Sequence, residues 1–298
     1  MHKAFAPGHI TGFVEFPIKH GDTLSIGSRG AGVCINKGVL TCISLRESNK
    51  NNISIYINDK IVNNADVSLY VARYYLSLLK KRFDLTIKHY IDIPIGYGIG
   101  SSGAAALSLS YALNDALQLF DKLHAAQIAH IADLECKCGM GTVVAEYHGG
   151  FEMRLEAGAP GISKVKKLDY DKDNVIVLCL DAISTKEFLT NKISLINGIG
   201  GKMLTKLDSN PTIDNFLDLS SRFARSVKFM SKKCYSIMDE LLEHGYNSSL
   251  AMFGETIFTI VSDNDVEYVK TLLERYGKVI VAKIDNNGAR IIDTIGSS

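Results

Sequence analysis

Between Pro94 and Leu107 the chain reads Pro-Ile-Gly-Tyr-Gly-Ile-Gly-Ser-Ser-Gly-Ala-Ala-Ala-Leu, and no other stretch restricts the possible folds so strongly. Upstream, residues 85–93 alternate apolar and polar side chains as a strand does. Downstream, alanine and leucine recur at helical spacing as far as Leu119. The order is strand, glycine loop, helix. Glycines at every second position remove Cβ atoms, so the backbone can turn tightly and aim several N–H groups at one point. The helix that begins beside Ser101 adds unpaired N–H donors and the positive end of its dipole. An anion is at home there, and a polyphosphate would fit.

Two familiar phosphate loops do not match. A Walker A loop ends in Gly-Lys-Ser/Thr, and no lysine lies between Lys88 and Lys122. A Rossmann loop sits early in a repeating βαβ array, whereas several strand-like segments come first here. A plain Gly-rich turn is the remaining alternative. Pro94, three spaced glycines, paired serines and an alanine run together argue against it.

That combination resembles the phosphate-binding motif of the GHMP kinases, the superfamily of galactokinase, homoserine kinase, mevalonate kinase and phosphomevalonate kinase. Their pattern is roughly P-x-G-x-G-x-x-S-S/G-A. Within the superfamily the chain is most similar to the archaeal pantoate kinase family, over nearly its whole length and most strongly between Pro94 and Gly161. The resemblance implies an α+β fold in two lobes, a strand-rich N-terminal domain and a C-terminal α/β sandwich, with the active site between them. It implies ATP bound by Pro94, Gly96, Gly98, Gly100, Ser101, Ser102 and Gly103, and Mg²⁺ held by Ser102 and Asp133.

Further stretches extend the resemblance. Residues 6–12, Ala-Pro-Gly-His-Ile-Thr-Gly, are similar to the first motif of these kinases without its usual Gly-Glu-His; a strand ending in a Pro-Gly turn is the alternative. Ser28, in Gly-Ser-Arg-Gly-Ala-Gly, and Arg154, on the strand after Gly149-Gly150, match positions associated with the acid substrate. A guanidinium can grip a small carboxylate through two parallel hydrogen bonds; a lone arginine on a strand is otherwise a surface charge. Thr185 is a weaker match of the same kind. His130 and Asp133 share a helix face, the first expected at the substrate and the second at the metal. Glu135 is a second candidate carboxylate, and a solvated helix face is the alternative for both.

The main departure is Thr142. Many family members carry an aspartate there, the supposed base for the acceptor hydroxyl, and threonine cannot take up a proton near neutral pH. Because the transition state of phosphoryl transfer is loose, positioning and charge neutralisation can suffice, or another carboxylate can serve. The resemblance therefore implies ATP-dependent phosphorylation of pantoate to 4-phosphopantoate for coenzyme A synthesis, with Ser102, Asp133 and Thr142 at the catalytic centre. The alternatives are a homoserine- or mevalonate-type kinase and a nucleotide-binding sensor without turnover.

Composition excludes other classes. A formal net charge of +1 with no basic tail argues against nucleic acid as partner. The N-terminus lacks the apolar core of a signal peptide and no run reaches membrane-spanning length, so a cytoplasmic protein is expected, with a homodimer as the family expectation. Six scattered cysteines are no disulfide framework. The close pair Cys136 and Cys138 reads as thiols rather than a zinc site.

Strands are expected at residues 3–6, 12–16, 30–36, 39–45, 53–58, 85–93, 149–155, 175–180, 249–253, 256–261, 278–284 and 290–293. Helices are expected at 65–82, 102–119, 121–135, 213–229, 231–243 and 266–276. The strongest break, Ala157-Gly158-Ala159-Pro160-Gly161, divides an N-terminal domain, 1–157, from a C-terminal one, 162–298.

Overall fold

The computed structural model describes residues 1–17, 22–168, 170, 174–183, 196–228 and 230–292. Two long strands form its axis. β1 (His2–Glu15) and β2 (Arg29–Ser48) pair antiparallel through almost their full lengths. The chain was expected to break near Pro7-Gly8 and near Lys37-Gly38. It does not break: the register shifts between Pro7 and Gly8, and both strands run on. Pro7 is accommodated at this bulge because a proline cannot supply a regular ladder bond. Gly38 faces it, where a Cβ would stand 2.1 Å from the Ala6 carbonyl oxygen.

This continuity makes one pair of strands serve two cores. Ala4 and Ala6 of β1, with Val39 and Ile43 of β2, pack under α1 (Asp66–Ser77), α2 (Ser101–Leu117) and α3 (Lys122–Glu135). Past the bulge, Ile10, Phe13 and Val14 of β1 and Ala31, Val33 and Ile35 of β2 enter a second core shared with the C-terminal half. β3 (Asn52–Ile57), β4 (Lys60–Val62) and β5 (Arg82–Ile91) extend the first sheet in the order β12-β1-β2-β5-β3-β4. β6 (Phe151–Arg154) pairs with the start of β2, and β7 (Val165–Leu168) with β6. α4 (Thr142–His148) lies between α3 and β6 and was not expected, since Gly141 and Gly149 leave it only 7 residues.

The second sheet is antiparallel, β11-β8-β10-β9, from β8 (Asn174–Ala182), β9 (Ser248–Leu250), β10 (Gly254–Val261) and β11 (Lys278–Lys283). β8 is continuously apolar because both of its faces are covered. Val175, Val177 and Cys179 point into the core shared with β1, while Ile176 and Leu178 meet the helices on the far side. α5 (Gly200–Ser209), also not expected, packs on β1 and β2, α6 (Ile213–Val227) enters the shared core through Phe216, Leu217, Leu219 and Phe223, and α7 (Lys232–Glu243) and α8 (Val266–Glu274) cover the far side. β12 (Arg290–Ile291) returns to pair with β1. Thus β7 and β12, both beyond residue 161, complete the first sheet. No helix among the described residues is long and apolar enough to cross a membrane.

Candidate active site

The glycine loop joins β5 to α2 at the seam between the lobes. Gly96, Gly98 and Gly100 have φ of 87°, 72° and 71°, backbone that a Cβ would strain. Gly98 also passes so close to the second lobe that a Cβ there would stand 2.3 Å from the Met252 carbonyl oxygen. The loop's carbonyls are bound within the protein. Gly96 O accepts from Ile183 N at 3.0 Å, Tyr97 O from Thr256 Oγ1 at 2.7 Å, Ile99 O from His9 N at 3.1 Å and Gly100 O from Ala104 N at 3.1 Å. A trans peptide holds N–H and C=O on opposite sides, so the amides of residues 97, 98, 100 and 101 point the other way. No side chain caps α2. Its first N–H groups are therefore free to bind an anion.

Beside these amides opens a cleft of about 390 Å³, with walls from both lobes: Thr11 of β1 and Ser28 of the turn before β2, Ile183 and Phe253 from the second lobe, and residues 136–142 between α3 and α4. Of the residues expected to bind nucleotide, Gly96, Gly98, Gly100, Ser101 and Ser102 line it, whereas Pro94 and Gly103 do not. Ser28, Thr142 and Arg154 also line it. Thr185 lies outside the described residues.

Asp133 is buried behind Ser102. Ser102 Oγ donates to Asp133 Oδ1 at 3.1 Å and Thr142 hydrogen-bonds the same carboxyl. Burial pushes its pKa up to about 6, and the two hydroxyls pull it partway back. Gly139 covers it so closely that a Cβ there would stand 2.1 Å from Oδ2. An oxygen-only donor pair is the chemistry that suits a hard cation such as Mg²⁺. No cluster of three or more His, Cys, Asp or Glu that could hold a metal occurs among the described residues, so phosphate and water oxygens would supply the other ligands. Glu135, the second candidate, is exposed and away from the cleft.

His130 departs from expectation. It is buried, does not line the cleft, and Nε2 donates to the Ile26 carbonyl at 3.0 Å. Burial holds its pKa down at about 4. Neutral and committed, it braces the turn that carries Ser28 rather than facing a ligand. The helix face it shares with Asp133 is turned inward, not to solvent as the alternative reading supposed.

Arg154 is almost fully buried and belongs to a polar network that spacing in the sequence does not reveal. Its Nη1 donates to Glu152, and Glu152 Oε1 also accepts from His9 Nε2 at 2.8 Å. His9 Nδ1 then accepts from Thr11 Oγ1 at 3.3 Å, the tautomer that a neutral ring requires. Burial lowers the His9 pKa, with Glu152 opposing. Thr11 and Arg154 are the two ends of this chain, and both reach the cleft. Arg154 Nε is buried without a partner. The Pro-Gly-His stretch thus contributes through His9, which the unbroken β1 places opposite β6. A second residue escaped the sequence reading: Glu146 on α4 is wholly buried with neither carboxyl oxygen hydrogen-bonded.

Fold and loop together define a class, the GHMP kinases, and residues 67–150 match the family model described as the GHMP kinases N terminal domain. Among similar proteins, one named pantoate kinase from Methanocaldococcus jannaschii is 36% identical over 91% of this chain and 96% of that protein. Another of the same name from Thermococcus kodakarensis is 34% identical over 91% of each. A solved structure described as a phosphotransferase related to the CoA biosynthesis pathway superposes with a TM-score of 0.91 at 30% identity, covering 99% of both chains. The chain belongs to the GHMP kinases, in the family of the pantoate kinases.

Proposed function

We infer that this protein transfers the γ-phosphoryl group of ATP to the primary hydroxyl of pantoate, forming 4-phosphopantoate and ADP for coenzyme A synthesis. The observation that carries this is the glycine loop, whose carbonyls at 96, 97, 99 and 100 are tied inward beside a cleft that also presents Arg154. The amides of residues 97, 98, 100 and 101 and the uncapped start of α2 would cradle the triphosphate. Ser102 and Asp133 would hold Mg²⁺, which would offset the negative charge of the phosphates.

Arg154 supports an acid as acceptor. Glu152 occupies one nitrogen of the guanidinium, and the unpartnered Nε is a donor in need of an acceptor, which a substrate carboxylate would provide. Ser28 and Thr11 would bind the acceptor's other oxygens. Most of the catalysis in such a transfer is alignment and charge neutralisation. The same reading has the protein act as a cytoplasmic homodimer; sedimentation and cell fractionation test these two points.

The test of function is ADP formation by the purified protein with ATP, Mg²⁺ and pantoate, with homoserine and mevalonate run alongside. Turnover with pantoate, and none with a matching alcohol that lacks the carboxylate, is the expected result. Absence of turnover with pantoate across a broad pH range would overturn it.

A further inference from the structure

A phosphate loop built from backbone amides gathers hydrogen-bond donors but carries no full positive charge. A Walker A loop adds its own lysine for that purpose, whereas no lysine lies between Lys88 and Lys122 here. Any side-chain cation for the triphosphate comes from another part of the cleft. Among the described residues that line the cleft, two are cationic, Arg154 and Lys137. Arg154 is buried and shares Glu152 with His9, so its charge is already answered within the protein. Lys137 is exposed, and no carboxylate among the described residues pairs with it.

The turn that carries Lys137 is closely specified. α3 ends in a Schellman motif: Lys137 N donates to Leu134 O at 2.9 Å, Cys138 N donates to Asp133 O at 3.0 Å, and Lys137 itself has φ of 55°. Left-handed backbone at that point turns the chain off the helix axis, and residues 136–142 then form one wall of the cleft. Asp133 ties this wall to the glycine loop. Its carbonyl takes the Cys138 N–H, while its carboxyl takes the hydroxyl of Ser102 in the first turn of α2. The lysine is thereby held at the end of the cleft where the free amides lie. A lysine at a helix end also meets the negative end of the helix dipole. That effect acts on stability alone and is separable by experiment.

We propose that Lys137 is a catalytic residue whose ammonium group binds the terminal phosphates of ATP and offsets the charge that builds there as the phosphoryl group is transferred. This rests on the kinase function inferred above. Lys137 forms and breaks no covalent bond and keeps its protons throughout. A compact point charge on a flexible stem can follow the phosphates as they separate. Because the attraction grows as charge accumulates, it raises kcat as well as affinity.

The experiment compares K137Q, K137R and K137G with the wild type, by thermal melting, by calorimetry with AMP and with a non-hydrolysable ATP analogue, and by ADP formation with pantoate. K228G is the control. Lys228 follows α6 with φ of 50°, and it is exposed and does not line the cleft. Glycine suits left-handed backbone best, so K137G removes the side chain and leaves the turn in place. Both glycine variants are expected to melt no more than about 3 °C below the wild type. K137Q and K137G are expected to bind the ATP analogue at least about tenfold more weakly, with AMP affinity changed by less than about twofold, and to lose at least about 30-fold in kcat. K137R keeps the charge and is expected to stay within about fivefold of the wild type in both respects. K228G is expected to change neither. Undiminished affinity of K137Q for the analogue, equal losses for AMP and the analogue, or a K137R as impaired as K137Q would each overturn the proposal. A wild type that binds the analogue but is silent with pantoate overturns the acceptor reading, and the binding comparison still decides the role of Lys137. An active wild type with an equally active K137Q overturns this inference alone.

Discussion

Arg154 shows how a residue's role depends on neighbours that sequence spacing cannot list. On a strand, alone, it is a surface charge; in the structure it is buried and shares Glu152 with His9. Glu152→Gln removes the negative partner and leaves the guanidinium buried with its charge uncompensated, which costs about 3 kcal/mol. Urea unfolding should show that loss, and added pantoate should restore more stability to the variant than to the wild type, since its carboxylate replaces the missing charge. Equal stabilisation of both would separate Arg154 from the acceptor. His130 teaches the converse. Its position in the motif was legible, but its single contact, the Ile26 carbonyl, makes it a brace for the turn before Ser28. Nothing in a histidine's spacing says whether it faces a ligand or a neighbouring carbonyl.

Among elements, the glycine loop was the most legible, because positive φ at alternate positions is a demand that only glycine meets cheaply. Gly98→Ala should disrupt it twice over, through strain at φ 72° and through contact with the Met252 carbonyl. Affinity for a non-hydrolysable ATP analogue, measured by calorimetry, is expected to fall more than about tenfold, since misplacing backbone donors by even 1 Å costs heavily. Gly245→Ala is the control. Gly245 also has positive φ, at 88°, but a Cβ there would meet nothing within 4 Å. It should lower stability by only about 1 kcal/mol and leave nucleotide affinity unchanged. The helix α4 was illegible for a different reason. Seven residues between glycines carry too little periodicity to distinguish a helix from a loop. Likewise Pro7-Gly8 reads as a strand end, because a bulge inside a long strand leaves the same signature as a turn after a short one.

At the scale of the whole molecule, the lobes share one core. Phe216 of α6 packs at a tilt against Phe13 of β1, Phe151 of β6 and Phe258 of β10, with ring centroids 6.2, 5.1 and 6.0 Å apart. Phe216→Ala should cost ~3–5 kcal/mol. Calorimetry should show a single unfolding transition at lower temperature rather than two separated ones, because the cavity opens on both lobes. Acid should destabilise the wild type in a window that His89 helps to set. Buried between the hydroxyls of Thr41 and Ser68, His89 has its pKa pushed down to about 4. The unfolded chain takes up that proton near pH 6.5 and the folded chain only near 4, so this contribution is complete above 6.5 and is lost as the pH falls toward 4. By pH 5 the loss is about 2 kcal/mol, and His89→Asn should shrink the measured stability difference between pH 7 and pH 5 by that amount. Local order in the sequence was enough to define a glycine loop suited to an anion between a strand and a helix, and most of the long helices, because those rest on backbone sterics and short periodicities; the kinase class came from the resemblance of the motifs. Which carboxyl groups stand behind Ser102 and Thr142, that His9 and Glu152 flank Arg154, and that the C-terminal strand closes the first sheet were decided only by tertiary packing. They depend on side chains from separate elements, 31 residues apart for Ser102 and Asp133 and 143 for His9 and Glu152, being driven into one water-poor space, where burial and partner choice set what each group can do.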